Sequence, residues 1–181
     1  QLPENKAVLI IKLIRLYYTN VALEDIEPRS IPDLYGAVLS HWELMQRRKP
    51  KEVKIRIFNP NYEEQGWQST HSIIQIVTDD MPFLIDSIRM EINRLGLTTH
   101  LLIYIGGIKV CRDKKHQVDN ILAYHAAHDV ESAIEAPLYM EIDRQTDPKS
   151  LAEIQRNIKR VLKDVRATVD DWEAMKGRVY E

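Results

Sequence analysis

The chain has 181 residues, with 25 Lys+Arg against 27 Asp+Glu, one Cys and six Gly. A net charge of −2 leaves no basic excess to neutralise a phosphate backbone, which argues against a nucleic-acid partner. The lone Cys111 excludes an internal disulfide and any cysteine-built zinc or iron–sulfur centre, and the balance as a whole points to a soluble, intracellular globular protein. The first apolar run, Ala7 to Ile11, is broken by Lys12 and Arg15. A membrane helix needs about 20 such residues, and no signal-peptide cleavage site follows the run. The chain opens on Gln1 rather than Met, which suggests a segment of a longer protein. Gly106-Gly107 is the only glycine pair, and neither a third glycine nor a helical pattern follows it. A dinucleotide fingerprint and a P-loop are therefore both absent from the sequence.

Residues 6 to 18 fit a buried helix, with Lys12 and Arg15 on one face, although their β-branched content leaves a strand open. Ser30-Ile31-Pro32-Asp33 is a helix start. The helix it opens stacks Leu34, Val38, Trp42 and Met45 on one stripe and stops before Pro50. Residues 1–50 thus read as a helical hairpin.

From Lys51 the period changes. Val53, Ile55 and Ile57 alternate with Lys54 and Arg56, as in a strand (51–58) with one wet face at a sheet edge. Ile73, Ile74, Ile76 and Val77 predict an interior strand over 70–77. Asp79-Asp80-Met81-Pro82 predicts a cap for a helix over 81–95, which lines up Met81, Leu84, Ile85, Ile88, Ile92 and Leu95. Gly96 suits the left-handed position that ends it. A long strand over 98–110 follows, bent at Gly106-Gly107. Asp113 to His116 predicts a turn into a short return strand over 118–123, with 124–136 irregular and a strand over 138–143. The last helix, 148–172, carries a seam of Leu151, Ile154, Ile158, Val161, Val165, Val169 and Trp172.

This order predicts an α+β fold with an antiparallel, ferredoxin-like sheet and its helices on one face. The last strand of the βαββαβ unit has no candidate after residue 172. The strand at 51–58 is expected to fill that edge, beside 70–77. The domain reading is a hairpin over 1–50 and a sheet domain over 51–175.

Several separated motifs resemble one family. They include Ser30-Ile-Pro-Asp-Leu-Tyr-Gly, Arg56-Ile-Phe-Asn-Pro, Gly66-Trp-Gln-Ser-Thr-His, Asp79-Asp-Met-Pro-Phe-Leu-Ile-Asp-Ser, Met90-Glu-Ile-Asn-Arg-Leu-Gly-Leu-Thr and Glu141-Ile-Asp-Arg-Gln-Thr-Asp. Together, over about residues 6–175, they resemble the N-terminal region of the large bacterial NAD-specific glutamate dehydrogenases. The resemblance implies a cytoplasmic parent enzyme that oxidises L-glutamate with NAD. It implies that this segment is the first ACT-type domain, regulatory or architectural, with no catalytic residue, metal or cofactor of its own. Its expected partners are other domains of the same long chain, a second copy in a homo-oligomer, and a small amino-acid effector, with no nucleic acid and no membrane.

The candidate effector site is the strand-to-helix turn: Asp79, Asp80, Met81 and Phe83. Amino-acid-sensing ACT domains resemble Asp-x-Pro-Gly-Leu here, so Phe83 stands where their glycine would be. The competing reading is that Asp79 or Asp80 caps the helix and Phe83 packs. His125, His128, Asp129 and Glu131 form the one metal-like grouping and read better as a solvated loop. His71 and His100 read as hydrogen-bonded sheet residues, Cys111 as an inert thiol, and Trp67 as packing over the sheet edge.

Overall fold

Ser30 starts a helix because its hydroxyl accepts from the Asp33 N–H (3.2 Å), and Pro32 in the first turn gives up no needed donor. The computed structural model describes residues 4–126 and 132–179. In chain order it holds α1 (Glu4–Tyr18), α2 (Leu23–Ile26), α3 (Ile31–Met45), β1 (Lys54–Phe58), α4 (Tyr62–Gln65) and β2 (Ser72–Asp79). Then follow α5 (Leu84–Arg94), β3 (Thr99–Tyr104), β4 (Ile108–Arg112), β5 (Val118–Ala123), β6 (Ala133–Ile142) and α6 (Pro148–Val179).

The sheet is antiparallel in the order β1-β2-β6-β4-β5, with β3 also paired to β6. Ten-residue β6 is its spine. It takes β3 along Leu138–Ile142 and β4 along Ala133–Glu135. The expected single strand over 98–110 is therefore two strands broken at 105–107, where Gly106 turns left-handed (φ +76°). Part of the stretch expected to be irregular, 133–136, belongs to β6; 127–131 lie outside the described residues. β1 pairs with β2 from Lys54↔Val77 to Phe58↔Ile73, so it occupies the edge that the missing final strand would fill. Its charged side is not wet. Arg56 donates to the Ser40 carbonyl, and Lys54 donates to the Leu44 carbonyl (3.3 Å), which α3 leaves unpaired in its last turn.

Helices cover both faces of the sheet. α5 and α6 bury Leu84, Ile88, Ile92, Ile154, Ile158 and Leu162 against Ile74, Ile76, Leu138 and Met140. On the opposite face α1 and α3 bury Ile10, Leu13, Val38, Trp42 and Met45 against Ile73, Val77, Ile103 and Tyr139. Side chains alternate across a strand, so β2 sends Ile73 and Val77 to one core and Ile74 and Ile76 to the other. That explains its unbroken apolar run. Leu162, outside the expected seam, is buried, whereas Val161 is half-buried and Trp172 is exposed; α6 also runs to Val179 rather than 172. Spacings of 3 and 4 both continue a helix face, so Val161 and Leu162 fit the pattern about equally well.

Candidate functional site

β2 delivers Asp79 and Asp80 into the turn before α5, but neither caps the helix. α5 begins at Leu84, later than expected, so Pro82 precedes it. The N-cap residue is Phe83, which contributes no side-chain bond. Phe83 holds φ +65°, the left-handed conformation that a glycine adopts freely. Its ring does not pack into the turn; it is 68% exposed.

Asp79 is held in an ion network. It pairs with Arg48 and with Arg166 (2.9 Å), and Glu135 pairs with Arg48 (2.9 Å) and Arg112 (2.7 Å). Arg48 and Glu135 are fully buried, where charges persist only when paired. The network joins five places in the chain: the segment after α3, the end of β2, β4, β6 and α6. Asp80 does different work. Its carboxylate accepts from the Tyr104 hydroxyl (2.7 Å), and its N–H donates to the Ile134 carbonyl (3.0 Å). Burial and the Asp80 carboxylate push the Tyr104 phenol up from its ordinary value. A Cβ on Gly107 would lie 2.7 Å from Asp80 Oδ2, so glycine there lets the carboxylate approach the backbone. Beside Asp80 opens a cleft of ≈ 500 Å³ lined by Thr19, Tyr104, Gly106, Gly107, Tyr124 and His125. Met81 is half-buried against the α5–α6 core.

This turn does not fit a dinucleotide. A pyrophosphate needs glycines for close approach and N–H groups free at a helix start. Here two carboxylates, a phenylalanine and Asp86 in the first turn of α5 occupy that place.

A second polar centre was not apparent from sequence. Glu141 on β6 is fully buried and accepts both Arg29 Nη atoms (2.6 and 2.8 Å) and the Tyr139 hydroxyl (2.8 Å). The His71 Nδ1 lies 3.4 Å from it. The His71 and His100 rings stack at 4.2 Å, and His100 Nε2 bonds Asp143 (2.7 Å). Burial lowers the His71 pKa. The bond to Glu141 holds the Arg29 guanidinium above its ordinary value, and burial raises the Tyr139 phenol. Arg29 thereby fastens the α2–α3 linker to the sheet. The readable signal was Tyr139 and Glu141 two apart on one face of β6; the hairpin packed on that face makes it an interior one.

Trp67 is buried edge-on to Phe58 (6.0 Å between centroids), and Cys111 is a buried free thiol on β4. His125 lies in the turn after β5; His128, Asp129 and Glu131 lie outside the described residues. Among the described residues no three His, Cys, Asp or Glu side chains are grouped to hold a metal, and no helix is long and apolar enough to cross a membrane.

Residues 13–158 match the family described as "Glutamate dehydrogenase, ACT1 domain". Over 178 residues the chain is 39% identical to an NAD-specific glutamate dehydrogenase of Halomonas elongata, covering 98% of this chain and 11% of that one. Over 165 residues it is 36% identical to an NAD-specific glutamate dehydrogenase of Pseudomonas aeruginosa, covering 91% of this chain and 10% of that one. The chain thus spans about a tenth of the length of these relatives.

Proposed function

This chain belongs to the glutamate dehydrogenase ACT1 domain family, and from that membership we propose that it is a non-catalytic architectural and regulatory segment of a longer NAD-dependent glutamate dehydrogenase. In this reading the whole enzyme works in the cytoplasm, a compartment suited to the unpaired thiol of Cys111. It converts L-glutamate, NAD and water to 2-oxoglutarate, ammonia and NADH. NAD and the reacting groups belong to parts of the enzyme outside this segment. The segment's own partners are other domains of the same chain and further copies in a homo-oligomer.

One observation favours architecture over sensing. The carboxylates of Asp79 and Asp80 are engaged within the fold, by Arg48 and Arg166 and by Tyr104. A ligand ammonium at Asp79 would have to displace two guanidinium groups in a poorly solvated network. A second reading, an amino-acid effector at Asp79, Asp80, Met81 and Phe83, draws support from the cleft beside Asp80, where the carboxylate could receive an ammonium group.

Calorimetry of this chain against a panel of amino acids separates the two. Architecture predicts no binding heat; heat that disappears in Asp80→Asn establishes the sensor instead. An NADH absorbance assay of the chain alone, with glutamate and NAD, should stay flat, and steady turnover would overturn the non-catalytic reading.

A further inference from the structure

The two helical layers expose apolar surface on opposite sides of the molecule. Between α5 and α6 runs a groove of ≈ 410 Å³ floored by Phe83, Met90, Val161 and Val165. Phe83 and Met90 are 68% and 71% exposed. Among the described residues, the charged side chains lining the groove are Asp86 and Asp164, both acidic. On the far side of the sheet, α1 shows Val8 (50% exposed) and Ile11 (51% exposed), and the exposed Arg15 continues the stripe. The Lys12 amine is engaged by Asn120 (2.8 Å), so Arg15 is the cation available to that stripe.

We propose that the α1 stripe of one copy of this chain docks in the α5–α6 groove of a second copy. The proposal rests on the assembly reading above and specifies its surfaces. Charge complementarity selects the occupant: a cationic end on an apolar stripe meets an apolar groove lined by two carboxylates. Lengths match as well. At a rise of about 1.5 Å per residue, Val8 to Arg15 spans about 10 Å, as does Phe83 to Met90. α1 and the groove lie on opposite faces of one sheet, so they cannot meet within a molecule. The contact is heterologous, head to tail, and adds copies until a ring closes.

Sedimentation of this chain from about 1 to about 500 µM, a range suited to an interface smaller than about 800 Å² per partner, should show species growing past the dimer. Ile11→Asp and Met90→Asp change exposed side chains, and circular dichroism should show both variants folded. Each alone should weaken association at least tenfold. Mixed one to one, they should form a dimer that grows no further, because one intact stripe still meets one intact groove. Arg15→Asp and Asp164→Arg supply a second pair; each alone should weaken association, and mixed they should grow past the dimer, because the reversed charges also complement each other.

A chain that stays monomeric throughout would overturn the proposal by leaving the groove to another segment of the longer protein. Association unaffected by either variant overturns these surfaces while the assembly reading stands. Loss in only one of the two variants indicates two like faces pairing, and loss in both without rescue on mixing means that stripe and groove do not meet; either result overturns it.

Discussion

His41 carries a pH dependence that its surroundings dictate. The ring is fully buried, with Nε2 3.1 Å from the Ile76 carbonyl and Nδ1 2.8 Å from the Tyr17 hydroxyl. A carbonyl only accepts, so Nε2 keeps the proton and Nδ1 accepts from Tyr17. Burial pushes the pKa down to about 4, against about 6.5 in an unfolded chain. Above about pH 6.5 both states are neutral and the site contributes nothing to pH dependence. Below it the unfolded chain takes a proton that the folded ring refuses, so stability falls until about pH 4. The full loss is about 3 kcal/mol. Urea unfolding at pH 7.5, 6 and 4.5 should show most of this decline. His41→Phe should begin less stable, because it orphans the Tyr17 hydroxyl, and yet have a flatter profile. An unchanged slope in the variant would move the effect elsewhere; His71, also lowered by burial, is the control.

At the scale of elements, helix interiors oppose propensity to packing at Gly36. In the middle of α3, alanine is favoured over glycine by about 1 kcal/mol. A Cβ at Gly36, however, would run into the ring and Cβ of Trp67. Trp67 is buried and braced by Phe58, so it has little room to yield. Overpacking costs about 1–3 kcal/mol and here exceeds the propensity gain. Gly36→Ala should lower the urea midpoint, by about 1–2 kcal/mol in net stability; a raised midpoint would show that the Trp67 loop gives way. The same contact shows what sequence makes legible. Periodicity within one element found the Leu34–Met45 stripe, the apolar face of α5, the turn before β5 and the edge place of β1, because these depend on neighbours three or four residues away or on strand order. It did not find Arg48 with Asp79 and Glu135, or Arg29 with Glu141. These partners lie 31 to 112 residues apart, and a basic run such as Arg47-Arg48-Lys49 looks solvated by itself. Phe83 is intermediate. Its departure from the Asp-x-Pro-Gly-Leu pattern expected of amino-acid-sensing ACT domains was readable, but the exposed ring on a left-handed backbone was not.

For the whole molecule, the decisive fact is that helices pack on both faces of the sheet. An antiparallel sheet commonly leaves one side to solvent. Here that side carries Ile73, Val77, Leu101, Ile103, Val110, Ile121 and Tyr139, all buried under α1 and α3. The change of hydrophobic period near residue 50 marks where helices give way to strands, while the buried cluster takes residues from both stretches. Arg29 and Arg48 tie the hairpin side to β6 by ionic bonds, whereas α6 is tied to the end of β2 by Arg166 and Asp79. Removing residues 1–50 would uncover seven adjacent apolar side chains, beyond the few hundred Å² that monomeric proteins usually leave exposed. It would also leave Arg112 as the sole partner of Glu135 among the ion pairs described. The 51–181 chain should therefore aggregate or bind a hydrophobic dye without a cooperative unfolding transition. The 1–181 chain should unfold in one step, with near-ultraviolet signals from Trp42 and Trp67 following the same curve as the backbone. A soluble 51–181 chain with its own sharp transition would show instead that the sheet and its α5–α6 layer stand alone and that the hairpin is a detachable cover.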